Sequence, residues 1–516
     1  MSAELELIEQ IIDASGAPGR IEALLPAGVR PRQLTARTLL IGMTLTMLDG
    51  RDALLTGVLR SLLRLGEADQ LRLGVIVDRQ RGPHRLTYRQ LEYTYRLIAT
   101  SLAKNEPDGA PSETLSAVLD ELLEASVTVL GQPGSNSYAV DWTDLETWAR
   151  PPPKPAADPQ PAATTTADPQ HPPPRERRSD PEAAWGHRNT NHPAKSEIFY
   201  GYYLQALTTV KDEHGPEVPE LARRIHLASC NHDPPAQIIP VIKRMHHDDI
   251  PICDLLADSG YSYRQPQTFA LPLRALGTQL IIDLHPNDRG PNGTHMGAIC
   301  ANGQLYCPAT PTTLLALQPL AHSATDQQTD AHDQQTRELA RYKLAPITGH
   351  DHDGYHRVSC PAAQQKLRCP HRPASMTLPH DRPTIHQPPQ HPPACCTQKT
   401  ITVPPTVNAK TAQKHDYPSP AHRRSYNRRT AAERTFATLT NRATNDLSRG
   451  WCRLFGLAPT ALFTATALIA RNIRTTDAFA ARQADPQHRA QHALQPKRRR
   501  RRRTTHDLIN AANQPP

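Results

Sequence analysis

Three acids stand where their surroundings could turn them to chemistry. Asp141 ends the short apolar run Ser137-Tyr-Ala-Val and is followed by Trp142-Thr143. Asp258 ends a second run, Ile252-Cys-Asp-Leu-Leu-Ala, and leads into Ser259-Gly260-Tyr261, where the glycine permits a tight exit turn. Glu433 falls on an expected helix that also carries Arg423, Arg424, Arg428, Arg429 and Arg434. Carboxylates at two strand ends and on one helix can converge to hold two divalent cations ~3.5–4 Å apart. Such a pair activates a water or a 3′-hydroxyl and steadies the leaving oxygen of a phosphodiester. Mg²⁺ suits an all-oxygen donor set, and the arginines would clamp phosphates. Asp144, Asp180, Asp254 and Asp283 are rival acids and read as structural or solvated.

Thiols form a second group. Cys300, Cys307, Cys360 and Cys369, with Cys395 and Cys396 beyond, sit in a Pro- and His-rich stretch with few apolar runs. A structural Zn²⁺ bound by these thiolates, Cys395 among them, would stabilise a module that burial alone could not. The spacings are wider than the C-x₂-C of a zinc ribbon, so scattered reduced thiols are the alternative. Cys230, Cys253 and Cys452 read as small core residues. The His350-Asp-His-Asp-Gly-Tyr-His356 stretch reads as a solvated loop.

The elements that must position these groups are legible in outline. A chain of 516 residues allows two to four domains at ~150 residues each. Leu34 to Leu48, Leu54 to Leu65, Thr87–Ala103 and Ser112–Val127 have helical spacing, joined by Gly-containing turns compatible with a helix-turn-helix DNA reader or a plain bundle. Strands are expected at Ser137–Asp141, Ile198–Val210, Ile252–Asp258 and Gln279–Asp283, with a helix at Pro235–His247, which together suggest an α/β sheet. Helices return at Ala421–Leu439 and Leu457–Ile473. Tyr88, Tyr93 and Tyr95 read as helix core rather than a base-stacking platform.

Charge and hydropathy exclude other classes. Lys497–Arg503 supplies seven of the net +9 charges, so affinity for nucleic acid must come from local patches. That run would grip phosphate backbones without sequence preference. The longest apolar stretch, Leu457–Ala470, is shorter than the ~20 residues a membrane span needs. The acidic start Met1-Ser-Ala-Glu lacks the basic end of a secretory signal. Nine cysteines, an odd number, fit a reducing compartment, and a cytoplasmic location is expected.

Several word-like stretches then fall into order. Tyr426-x₂-Arg429-x₃-Glu433 has the spacing of the Tyr-Arg-Glu-Lys signature, Ala257-Asp258-Ser-Gly-Tyr261 is similar to the "ADxGY" strand, and Val140-Asp141-Trp-Thr143 to the "DGT" strand. Asp180-Pro-Glu-Ala183 with Gly201-Tyr202 resembles the "DPDA…GY" stretch. In these features the chain resembles the DDE transposases of bacterial insertion sequences. Thr440 stands where that signature has lysine, and Trp142 where the first strand usually has glycine.

The resemblance implies an α/β, RNase H-like catalytic core with an N-terminal all-α domain and a loop-rich, cysteine-containing insertion. It implies a helical DNA-binding domain over 1–130, the first core strand within 131–149 and a disordered proline-rich linker over 150–178. The core would continue over 179–285, with the insertion at 286–405, C-terminal core helices over 406–475 and a disordered basic tail over 476–516. Asp141, Asp258 and Glu433 would hold two Mg²⁺ ions, with Tyr426 and Arg429 at the same site. Arg423, Arg424, Arg428 and Arg434 would meet DNA. The implied activity is Mg²⁺-dependent cutting of transposon ends and strand transfer to target DNA, in a homodimeric synapse on double-stranded DNA. Thr440 and Trp142 favour a second reading, a catalytically silent relative that still binds DNA.

Overall fold

The computed structural model describes residues 3–26, 32–79, 82–103, 109–131, 134–152, 180–188, 197–321 and 323–491, with side chains to residue 485. Most of the proline-rich linker and the basic run Lys497–Arg503 lie outside the described residues.

The first 130 residues are helical, as their periodicity requires: α1 (Ala3–Ser15), α2 (Ala17–Leu24), α3 (Ala36–Leu48), α4 (Leu55–Leu63) and α5 (Glu67–Arg72). A hairpin of β1 (Ile76–Arg79) and β2 (Gly82–Arg85) precedes α6 (Tyr88–Leu102) and α7 (Glu113–Val129). On α6, Leu91, Thr94, Tyr95, Ile98 and Leu102 are buried at helical spacing, while Tyr88 and Tyr93 are exposed. Helix α3 is buried on nearly every face, from Leu39 through Met43 to Met47. It is therefore a central packing element with no free face to lay in a DNA groove.

One six-stranded sheet follows, built from β3 (Ser137–Glu146), β4 (Ala184–His187), β5 (Ile198–Val210), β6 (Ala222–Ser229), β7 (Asp254–Ala257) and β8 (Gln279–Ile282). β5 runs antiparallel to β3 and on its other edge pairs with β4 over its first residues and with β6 over the rest. β3, β7 and β8 are parallel neighbours. The crossover from β6 to β7 is α8 (Pro234–His247), and α9 (Ser259–Ser262) and α10 (Ala270–Ala275) lie between β7 and β8. β3 runs five residues past Asp141, because Trp142–Glu146 keeps pairing with β5.

The insertion is more ordered than a loop-rich reading expects. It holds an antiparallel sheet of β9 (Pro291–His295), β10 (Ala298–Ala301) and β11 (Gln304–Tyr306), then α11 (Thr312–Leu315) and α12 (Asp326–Tyr342). A second sheet joins β12 (Ala345–Pro346), β13 (His356–Ser359) and β14 (Ile401–Val403), with α13 (Ala394–Thr397) before its last strand. Strands of two to five residues carry too little alternation to be seen in the sequence. α12 buries only His332, Thr336, Leu339 and Tyr342, a helical stripe with just two strongly apolar members.

The chain closes with α14 (Pro420–Tyr426), α15 (Thr430–Leu439), a small ribbon of β15 (Thr440–Asn441) and β16 (Asn445–Asp446), and α16 (Leu457–Gln491). α16 runs well into the stretch expected to be a disordered tail. Its buried residues, Leu457 to Ile473, share one apolar core with α1, α3, α6, α7 and the β5–β6 face of the sheet. The N-terminal helices are thus continuous with the sheet rather than a separate globule. Asp180 and Glu182 clamp this joint: Asp180 accepts hydrogen bonds from the Thr147 and Tyr202 hydroxyls at 2.7 and 2.6 Å, and Glu182 accepts from the Leu457 N–H at 2.7 Å. At Gly201 a Cβ would lie 2.1 Å from the Leu145 carbonyl oxygen, so the strands pair closely only with glycine there.

Candidate active site

Strand alternation decides which side chains meet. Tyr138, Val140, Leu255, Ala257, Leu280 and Ile282 pack towards α8. Ala139, Leu256 and Ile281 pack on the other face against Ala431 and Ala432 of α15, two small residues that let the helix approach the sheet. Side chains repeat every second residue along a strand. Asp141, Asp258 and Asp283 therefore project towards the α15 face.

Register puts these acids level. Ser137, Tyr138 and Ala139 pair with Asp254, Leu255 and Leu256, and the same step of 117 residues leads from Asp141 to Asp258. Asp254 to Ala257 pair with Gln279 to Ile282, and the same step leads from Asp258 to Asp283. Adjacent strands lie ~4.8 Å apart, so the three carboxyl groups form a short row across the ends of β7 and β8. Glu433, on the first turn of α15 beside Ala431 and Ala432, faces the row.

Arg429 joins the helix to the sheet. Its Nη1 donates to Asp141 Oδ2 at 3.0 Å and its Nη2 to Glu433 Oε1, so both carboxylates lie within the span of one guanidinium. Tyr426 lies under the same guanidinium, its ring centroid 5.6 Å from Arg429 Cζ, and stacks on His422. The spacing predicts one helix over 421–439. The structure breaks it at Asn427–Arg429, a 3₁₀ turn between α14 and α15. Tyr426 therefore ends one helix and Glu433 starts the next, with Arg429 in the turn that links them.

The electrostatics follow from this crowding. Burial, then the Asp258 carboxylate, pushes Asp141 up to about 7, with Glu433 adding and Arg429 opposing. Asp258 is raised by burial and by Asp283, against Arg429 and the N–H groups of Gly260 and Tyr261. Burial works against the Arg429 cation, but Tyr426, Asp141, Glu433 and Asp258 outweigh it and raise its pKa. Asp141 Oδ1 also accepts from the Trp142 N–H at 2.8 Å, and Asp258 Oδ1 from the Gly260 N–H at 2.9 Å.

Trp142, the departure from the glycine expected there, points away from the acids. It packs on the α8 face, edge-on to Tyr261 at 4.8 Å, over Gly260, where a Cβ would come 2.3 Å from the indole. A large residue on β3 is matched by a missing one after β7. Thr440 follows the last residue of α15 and is exposed.

The rival acids divide. Asp144 is paired with Arg188, and Asp254 is buried between Lys414 at 2.8 Å and Arg428 at 2.9 Å. Asp283 had read as structural or solvated, yet it stands level with Asp258. Its carboxylate accepts from the Tyr417 hydroxyl at 2.7 Å and is paired with Arg289 at 3.3 Å. The signal was present in the sequence: Gln279-Leu-Ile-Ile-Asp283 is another apolar run ending in an acid.

Three of the four arginines expected on DNA are bound internally. Arg428 holds Asp254 and the Lys211 carbonyl, Arg423 pairs with Asp333 at 3.1 Å, and Arg434 donates to Glu220 at 2.7 Å. Arg424 is exposed. Of the cysteines, Cys307, Cys360 and Cys369 share one small core. Cys300 faces the other one with Leu305 and Val358, because β10 alternates like any strand, and Cys395 and Cys396 pack there as well. His350 to Asp353 are exposed, as a solvated loop requires.

Among the described residues no group of three or more His, Cys, Asp or Glu side chains is gathered into a formed metal site, and no helix is long and apolar enough to cross a membrane. Comparison with models of known protein families, with curated proteins and with solved structures found no match.

Proposed function

We propose that the protein is a DDE-type transposase on an RNase H-like core, cutting DNA ends and joining them to a target. One observation carries this reading: Asp141 and Asp258 are level on adjacent parallel strands, on the face that Glu433 and Arg429 cover. A single sheet, antiparallel on the β6–β5–β3 side and parallel on the β3–β7–β8 side, supports the RNase H-like assignment.

The donor set fits hard divalent cations. It is all carboxylate oxygen, and Asp141 is strained towards protonation by its acidic neighbours, a crowding that cations would relieve. Asp141, Asp258 and Glu433 would hold two Mg²⁺ ions. Bound there, the ions would make an attacking oxygen more nucleophilic and steady the one that leaves phosphorus. The remaining work falls to the chain. Arg429 now neutralises Asp141 and Glu433, and once cations do so its guanidinium is free to grip a phosphate oxygen bidentately. Tyr426 holds that arginine in place from below. Water would attack phosphorus as the 3′-oxygen leaves, and the freed 3′-hydroxyl would then attack a target phosphate, with no covalent enzyme intermediate.

An end-cleavage assay on the DNA flanking the gene, with Mg²⁺, tests the reading. Wild type should nick at the ends, and Asp258→Ala should not, while still binding the same DNA. Thr440, in place of the signature lysine, favours the non-catalytic DNA-binding reading. Binding without cleavage by wild type would establish that alternative, and cleavage that survives Asp258→Ala would remove both.

A further inference from the structure

The cysteines of the insertion are arranged for more than packing. Cys307, Cys360, Cys369 and Cys396 are each no more than 6% exposed. The sulfurs of Cys360, Cys396 and Cys369 all bear on Cys307, and those of Cys360 and Cys396 bear on Cys369. Four thiols from four separate loops therefore meet where the two small cores of the insertion touch. Cys300 is not among them: it is raised by burial alone.

The backbone around the sulfurs is what a plain core cysteine does not need. Cys307, Cys360 and Cys369 are each followed by proline. Proline fixes φ near −65° and has no N–H, so the chain turns and the next free N–H groups can point back at the sulfur. The Ala309 N–H bonds to Cys307, and the N–H groups of His371 and Arg372 bond to Cys369. Sulfur in a neutral thiol is a weak acceptor, whereas a thiolate draws N–H donors strongly. Cys395 lies with its Sγ 4.0 Å from that of Cys396 and donates to it. His371 is committed elsewhere, its ring Nε2 2.8 Å from the Pro389 carbonyl.

We propose that Cys307, Cys360, Cys369 and Cys396 bind one structural Zn²⁺ in a tetrahedral thiolate site that ties the two small cores of the insertion together. Cys sulfurs swing about a single side-chain torsion, so four that already face one point can close to the ~2.3 Å Zn–S distance without moving the strands. Cys395 supports Cys396 from outside the ligand set, and Cys300 takes no part. This inference stands independently of the proposed DNA chemistry.

Full-length protein purified under reducing conditions should carry about one zinc per chain. Cobalt(II) exchanged for it should give the visible absorption of tetrahedral thiolate coordination. Cys369→Ser and Cys396→Ser should lose the metal, while Cys300→Ser and Cys395→Ser should keep it. If the ligand variants prove insoluble, titrating wild type with a mercurial should release zinc in step with the first four thiols modified. Wild type that holds no zinc and takes up no cobalt would overturn the proposal. Retention of metal by Cys396→Ser with loss by Cys395→Ser would overturn the ligand assignment.

Discussion

The acid row and the thiol cluster are held by opposite means. Asp141 and Asp258 are set by a parallel register in a sheet buried on both faces, with Leu255, Leu256 and Ala257 all inaccessible to solvent. The thiols hang on loops between strands of two to five residues, over cores of about a dozen side chains or fewer. Hydrogen-bonded register positions side chains to within a strand spacing whatever their charge, so it can crowd carboxylates that repel one another. A small module has no such frame and needs a cross-link among its own side chains. The rigid region can therefore afford electrostatic strain, and the small one is built to receive a ligand.

The largest expected effect is at the row itself. Asp141→Asn should cut Mg²⁺-dependent cleavage on the order of 10³-fold, the several kcal/mol a metal pair supplies. The melting temperature should stay within a few degrees, because the register is set by the backbone. A large fall in melting temperature, measured by circular dichroism, would show instead that the acid is part of the frame.

Next comes the packing behind the acids. Gly260→Ala should destabilise the protein by about 1–3 kcal/mol, because its Cβ meets the Trp142 ring. In a Trp142→Ala background the same change should cost much less. Equal costs in the two backgrounds, from denaturant titration of all four proteins, would break the claimed coupling.

The smallest effect should separate the two regions by pH. Burial lowers His226 to about 3 and His422 to about 4, and both lie against the large sheet. Each is neutral when folded and takes up a proton more readily when unfolded. Each thus contributes stability that is whole above about 6.5 and falls by about 1.4 kcal/mol per pH unit as the medium is acidified towards the folded value. Hydrogen exchange at pH 5 against pH 7 should accelerate in β6 and β8. His226→Gln should flatten that dependence, and an unchanged slope would dismiss the histidine as its source.

Much of the frame was legible in the residues. Helical periods located α3, α4, α6 and α7 to within a few residues, and apolar runs located β3, β7 and β8, because these elements bury one regular stripe or a whole strand. Asp141 and Asp258 drew notice as acids at the ends of such runs, and Tyr426, Arg429 and Glu433 by their spacing. The short strands of the insertion and the break at Asn427–Arg429 went unseen, since neither leaves a periodic trace.

What the chain alone determined was which segments are helices and strands and which acids, arginines and thiols they carry. Only the tertiary structure decided that Asp141, Asp258 and Asp283 are level, that Trp142 turns away from them, and that Arg428 is bound to Asp254 while Arg429 bridges Asp141 and Glu433. Pairing between strands more than a hundred residues apart depends on how whole faces pack, and no local spacing encodes which residues that packing brings opposite one another.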